Sequence, residues 1–131
     1  MNTRTTPAGI TRLGQVSVPV HDLDRATAFY RDALGLSLLF TGGGMAFFDC
    51  GGVRLVLSRP EKPEFDHPSS ILYFNVLDIT ATHRQLCDMG VKFESAPHVV
   101  APMPAHDLWM GFFRDSEDNI MALMSEVPRT K

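Results

Sequence analysis

Gln15-Val16-Ser17-Val18-Pro19-Val20-His21-Asp22, followed by an apolar-striped run to Leu34 and then Gly35, decides how this chain folds, because the pattern occurs twice. Its second copy is Ile71-Leu72-Tyr73-Phe74-Asn75-Val76-Leu77-Asp78, followed by residues 79–89 and Gly90. In the first copy Val16, Val18 and Val20 alternate with Gln15, Ser17 and Pro19, which predicts a strand with one face against a helix. Asp22 suits the N-cap of that helix, and Leu23, Ala26, Phe29, Tyr30 and Ala33 form its apolar stripe. Gly35 offers the left-handed backbone that ends it. Downstream, Phe47-Phe48-Asp49 and Val53-Arg54-Leu55-Val56-Leu57 are echoed by Phe112-Phe113-Arg114-Asp115 and Asn119-Ile120-Met121-Ala122-Leu123. The copies are offset by 56 residues at their starts (Gln15 and Ile71) and by 66 at their ends (Val56 and Ala122). A strand-helix-strand-strand-strand unit used twice in one chain restricts the fold to α+β.

The predicted elements follow from this repeat. Strands are expected over 36–41, 45–50 and 53–59, with Gly42-Gly43-Gly44 and Gly51-Gly52 as turns. The second unit is expected as strand 71–77, helix 78–89, and strands near 91–100, 108–114 and 119–126. Prolines at 97, 102 and 104 predict an irregular loop over 97–106. Module one thus spans about 10–59, a proline-rich linker 60–69, and module two about 70–127, together one domain over 1–131.

At 131 residues the chain can bury a substantial core. A net charge of −3 gives no basic footprint, so nucleic acid is not an expected partner. No apolar run reaches the length of a membrane span, and the polar start does not read as a signal peptide, so a cytoplasmic location is expected. Cys50 and Cys87 lack metal or redox spacing and are expected reduced. No phosphate loop, dinucleotide fingerprint or Ser-His-Asp order is present.

The doubled unit, with Phe-Tyr-Arg-Asp-Ala-Leu-Gly-Leu at 29–36 in the first helix, resembles the vicinal oxygen chelate superfamily. That group includes glyoxalase I, bleomycin-resistance proteins and extradiol dioxygenases. Asp115-Ser116-Glu117-Asp118-Asn119 looks like a worn form of the family's Asp-Pro-Asp-Gly-Asn turn, with Asp118 standing for glycine. The resemblance, over about residues 10–127, implies two βαβββ modules forming an incomplete barrel around a shared cavity, with helices on the convex side. It also implies a homodimer. Family metal sites use four inward positions, which fall here on Gln15, Val56, Ile71 and Ala122. Only Gln15 can donate a lone pair, so no resident metal or other cofactor is expected. His98, His106 and Asp107, or the turn residues His21 and His67, would make only an irregular, loop-borne replacement.

Strand alternation from those four positions adds Ser17, Arg54, Tyr73, Asn75 and Met124 to the expected cavity wall. Sparse polar groups on an apolar wall suit a small organic ligand. Arg54 would want a carboxylate, phosphate or enolate partner, with a salt bridge to Asp49 or Glu126, or simple exposure at the sheet edge, as the bland alternative. Trp109 could stack a planar ligand or plug the core. His106 and Tyr73 are the candidate proton-transfer groups.

Two readings stay open. One is a metal-independent isomerase or lyase acting on a small oxygenated molecule, with Arg54 or Gln15 steadying an enolate and His106 or Tyr73 moving the proton. The other is a non-catalytic protein that sequesters a drug or metabolite, for which the mildly acidic chain would suit a cationic ligand. A metal-dependent lyase of the glyoxalase I type ranks last, resting on Gln15 alone.

Overall fold

The computed structural model describes residues 8–129. Strand β1 (Gln15–Pro19) leads into helix α1 (Leu23–Ala28), which continues as one wider, π-helical turn over Phe29–Ala33. Strands β2 (Ser37–Gly42), β3 (Met45–Cys50) and β4 (Val53–Ser58) complete the first unit. After a short 3-10 turn at Pro63–Phe65 come β5 (Tyr73–Asn75) and helix α2 (Ile79–Asp88). The second unit then runs through β6 (Lys92–Phe93), β7 (His98–Pro102), β8 (His106–Arg114) and β9 (Ile120–Pro128).

Each unit builds its own sheet. The first has the order β1-β4-β3-β2 and the second β5-β9-β8-β6, with β7 pairing β8. Neither closes into a barrel. In both, the first strand pairs in parallel with the last, because the helix carries the chain back across one face. The register confirms the internal repeat: Ser17 pairs with Val56, and their counterparts Tyr73 and Ala122 pair likewise. Asp22 and Asp78 both cap their helices, accepting from the backbone N–H groups of Arg25 and Ala81 at 3.1 Å. Gly35 (φ +75°) and Gly90 (φ +89°) end them in the left-handed conformation.

One stretch departs from expectation. Residues 97–106 hold the ordered edge strand β7, and the single strand expected near 91–100 is split into β6 and β7. The prolines are tolerated because Pro97 lies before β7, Pro102 ends it, and a bulge between Val99 and Ala101 absorbs the misfit. Gly111 on β8 lets Pro97 approach; a Cβ there would lie 3.0 Å from the Pro97 ring.

Alternation sorts each sheet into a buried and an open face. Val18, Leu55, Leu57 and Phe48 of the first sheet, and Phe113, Met121 and Leu123 of the second, join Tyr30, Ala26, Ile79 and Leu86 from the helices in one core. That core is welded by a buried polar cluster. The Tyr30 hydroxyl donates to Asp115 Oδ2 at 2.7 Å, while Asp115 Oδ1 accepts from the backbone N–H of Glu117 (2.8 Å) and Asn119 (2.9 Å). Glu117 in turn accepts from the backbone N–H groups of His21 and Asp22 at 2.9 and 3.0 Å. The β8–β9 turn of the second unit is thereby locked to the start of α1. Burial, reinforced by the Asp115 charge, holds the Tyr30 phenol above its ordinary pKa, so it remains a donor.

Tyr30→Phe is expected to cost about 1.5–3 kcal/mol, the range for a hydrogen bond to a charged group, read as a lower urea midpoint at unchanged slope; a loss under ~0.5 kcal/mol would contradict the weld. Asp118 occupies the glycine place of the turn at φ +66°, so Asp118→Gly is expected to gain about 0.5–1 kcal/mol in the same assay. His21 Nε2 lies 2.8 Å from Asp66 Oδ1; that hydrogen bond, then the Asp66 charge, raises the histidine pKa above 6.5. The pair's contribution is therefore full below pH 6.5 and lost as pH rises through the folded value. A proton NMR titration should show His21 returning toward 6.5 in Asp66→Asn.

Candidate functional site

The faces turned away from the core carry most of the residues selected from sequence. On the first sheet, pairing sets Gln15 beside Arg54, Ser17 beside Val56, and Pro19 beside Ser58. Val56 is buried, at 2% exposure, under its neighbours, whereas Gln15, Ser17 and Arg54 are exposed. On the second sheet, Tyr73 stands beside Ala122, which is fully buried, and Asn75 stands beside Met124. Ile71 lies just before β5 and is exposed.

Two residues sit elsewhere. Phe112 is the partner of Ala122 on β8, so its neighbour Trp109 falls on the opposite face, beside Ser125 and against the core. Trp109 thus plugs the core and does not line the open face. His106 shares the face of Met110 and Phe112, but at the far end of β8, about 20 Å along an extended strand from the level of Ala122. There its Nε2 lies 3.6 Å from Glu126 Oε2, and its side chain is only 26% exposed.

Two aromatic residues not selected from sequence complete the first open face. Phe47 is the β3 partner of Val56, and Phe40 on β2 pairs with Phe47. Their rings stack with centroids 4.4 Å apart and planes 21° from parallel. The Arg54 guanidinium lies over Phe47, 5.7 Å from the ring centroid. Neither carboxylate considered from sequence as a partner for Arg54 takes that role: Asp49 Oδ1 accepts from the Gly52 N–H, and Glu126 pairs with His106. On the second sheet Tyr73 packs edge-on against Phe112 at 6.0 Å.

Within a single chain the expected cavity wall is divided. Ser17, Ser58, Arg59, Phe65 and His67 line a cleft of about 340 Å3 on the first open face. Tyr73 and Asn75 border another of about 440 Å3, beside Leu34 and Cys50. A larger cleft of about 860 Å3 lies on the helix side between Phe29, Met89, Lys92 and Arg114. Its charges are largely mutually neutralised, with Asp32 on Arg31 and Glu94 on Arg114.

The four family metal positions do not fit a divalent ion. Val56, Ile71 and Ala122 present hydrocarbon side chains, and one neutral amide from Gln15 cannot hold an ion against water. His98, on β7, and His106, on β8, do not rebuild the site: among the described residues no group of three or more His, Cys, Asp or Glu is arranged to hold a metal. No helix among them is long and apolar enough to cross a membrane.

This architecture is shared with known proteins. The chain is 29% identical over 126 residues to the uncharacterized protein YraH of Bacillus subtilis, covering 86% of this chain and 96% of that one. Among solved structures it resembles TnmS3, an antibiotic binding protein from Streptomyces sp. CB03234, at 24% identity and a TM-score of 0.71, over 89% of this chain and 97% of that one. It also resembles lactoylglutathione lyase from Agrobacterium tumefaciens, at 21% identity and a TM-score of 0.66, over 87% and 92%. Residues 12–119 match the family model of the Glyoxalase/Bleomycin resistance protein/Dioxygenase superfamily, and the chain belongs to that superfamily.

Proposed function

We propose that this protein binds a small organic molecule against the open faces of its sheets, without a resident metal, in a cavity completed by a second copy of the chain. The observation that carries this reading is the pattern of exposure. Gln15, Ser17, Arg54, Tyr73 and Asn75 stand exposed around the buried Val56 and Ala122, while the opposite faces are sealed into the core. A polar-dotted apolar wall of this kind gives affinity through area and orientation through a few hydrogen bonds. Standing open in a single chain, it also invites a partner: Phe40 is 53% and Tyr73 46% exposed. The similarity to an antibiotic binding protein supports a binding role, although at that identity it speaks chiefly to the fold.

Proton transfer beside a carbonyl is the second reading, favoured by one feature. Tyr73 stands on the open face next to Ala122, where its hydroxyl could serve an oxyanion steadied by Arg54 or Gln15. His106, about 20 Å away along β8, is out of reach of a reacting atom at that level, which favours binding over catalysis. A metal-dependent lyase is not supported, since the donor set is missing.

Native mass spectrometry of protein purified without chelator tests this directly. The expected spectrum shows a dimer of about 29 kDa, twice the 14.5 kDa chain, with no mass excess equal to a divalent ion per subunit. One ion per chain would restore a metalloenzyme. A monomer at micromolar concentration would remove the second copy from the site.

A further inference from the structure

We infer that the cleft along the free edge of β5 is a binding site for a neutral, mainly apolar molecule of lactam type, whose N–H and C=O pair with the backbone of Tyr73 and Asn75. The site lies at the seam between the two units and does not depend on the open-face reading above.

β5 is an edge strand of the second sheet and pairs only with β9. Leu72 O accepts from the Ala122 N–H, and the Val76 N–H donates to Met124 O, both at 2.9 Å. Backbone groups alternate in direction along a strand, so Tyr73 and Asn75 turn their N–H and C=O groups to the free side. The cleft of about 440 Å3 lies on that side, with Tyr73, Phe74, Asn75 and Val76 in its wall. Side chains of a strand alternate between the two faces of a sheet. Four consecutive residues therefore share one cleft only along the strand's edge. The first unit supplies Leu34 and Leu36, which follow its helix, and Cys50 and Gly51 at the β3–β4 turn.

The lining selects against charge. None of its eleven residues is charged. Leu34, Leu36, Phe74 and Val76 pack on the core yet are only partly buried, so core-like apolar surface reaches solvent here. Leu86 and Leu123 are the buried members of the wall. The Cys50 thiol adds no charge, because burial, then the nearby Asp49 carboxylate, raises its pKa. An ionised ligand would give up water in this cleft and meet no opposite charge on its wall. The unpaired backbone sets the complementary demand, since each such N–H and C=O calls for a partner. The Tyr73 carbonyl and the Asn75 N–H stand two residues apart on one edge, the spacing at which a strand takes up a neighbour's hydrogen bonds. A lactam sets a donor beside an acceptor without a charge, and its ring system supplies apolar area for the leucines.

The test titrates the full-length chain with 2-quinolone, 1-methyl-2-quinolone, which lacks the N–H, and quinoline-2-carboxylate, which carries a charge. Calorimetry gives the affinities and amide NMR gives the place of binding. The expected result is that 2-quinolone binds about tenfold more tightly than either other probe, with its largest shifts at Leu36, Gly51 and Asn75. Alkylation of both cysteines by N-ethylmaleimide, followed by peptide mass spectrometry, supplies a second readout. Saturating 2-quinolone should slow Cys50, which lines the cleft, about tenfold and leave the exposed Cys87 unchanged. Equal affinity for the methylated probe, or tighter binding of the carboxylate, would overturn the inference. Shifts confined to Ser17, Arg54 and Phe47, with Cys50 reacting at its unliganded rate, would overturn it while supporting the open-face reading. Tyr73 and Asn75 amides that exchange slowly in a ligand-free dimer and fast in the monomer would overturn it too, since a second copy would then hold the edge. Binding by none of the probes would overturn this site and leave the open-face reading standing.

Discussion

The Asp115 carboxylate is the constraint from which the rest of this structure follows. It is buried, and a buried charge persists only where donors replace water. Here the donors are the Tyr30 hydroxyl from the first unit and the Glu117 and Asn119 backbones from its own turn, with the Asn119 amide adding a further contact at 3.2 Å. Satisfying them forces α1 against the end of the β8–β9 hairpin. Glu117 then reaches the N-terminal approach to α1, where carboxylate oxygens meet unpaired N–H groups and a favourable helix field. With the two units tied at this point, their helix-side faces share one core. The alternate residues of every strand are left facing outward.

The proposed function rests on those outward residues. In a strand the same alternation that sends Leu55 and Leu57 into the core sends Arg54 and Val56 the other way, so core and site are specified by one pattern. Three of the positions that the family resemblance marks for a metal, Gln15, Val56 and Ala122, lie on these outward faces, and Ile71 lies just before β5. Val56 and Ala122 are hydrocarbon, so the outward faces offer apolar surface and a few polar points, the composition on which the proposed binding role rests. Fold membership alone says little of chemistry; the identity of these side chains narrows it.

Much of the fold was legible in the sequence because it is written twice. The offsets of 56 and 66 residues reappear as equivalent pairs, Ser17 with Val56 and Tyr73 with Ala122, and the helix caps and stops fall on Asp22, Asp78, Gly35 and Gly90. The β7 strand was hidden because prolines read as loop, whereas an edge strand tolerates them at its ends and at a bulge. Part of the site was hidden for a related reason. A register shift between Leu38 and Phe40 sets which β2 side chains share the face of Phe47, and alternation through an unseen bulge cannot supply that. Of the two places open to Trp109, it takes the core, a choice set by the β8–β9 register that pairs Phe112 with Ala122. His106 was read as a loop residue, whereas β8 begins at it and sets it about 20 Å along the strand from the level of Ala122.

Hydroxyl-radical footprinting of the protein in solution most directly tests whether the open faces are the working surfaces. In the single chain Phe40 (53%), Tyr73 (46%), Met89 (60%) and Leu77 (101%) are all exposed. The account predicts that Phe40 and Tyr73 are strongly protected in the assembled protein while Met89 and Leu77 react freely. Reactivity of Phe40 and Tyr73 in line with their single-chain exposure, at concentrations where the protein is assembled, would contradict it.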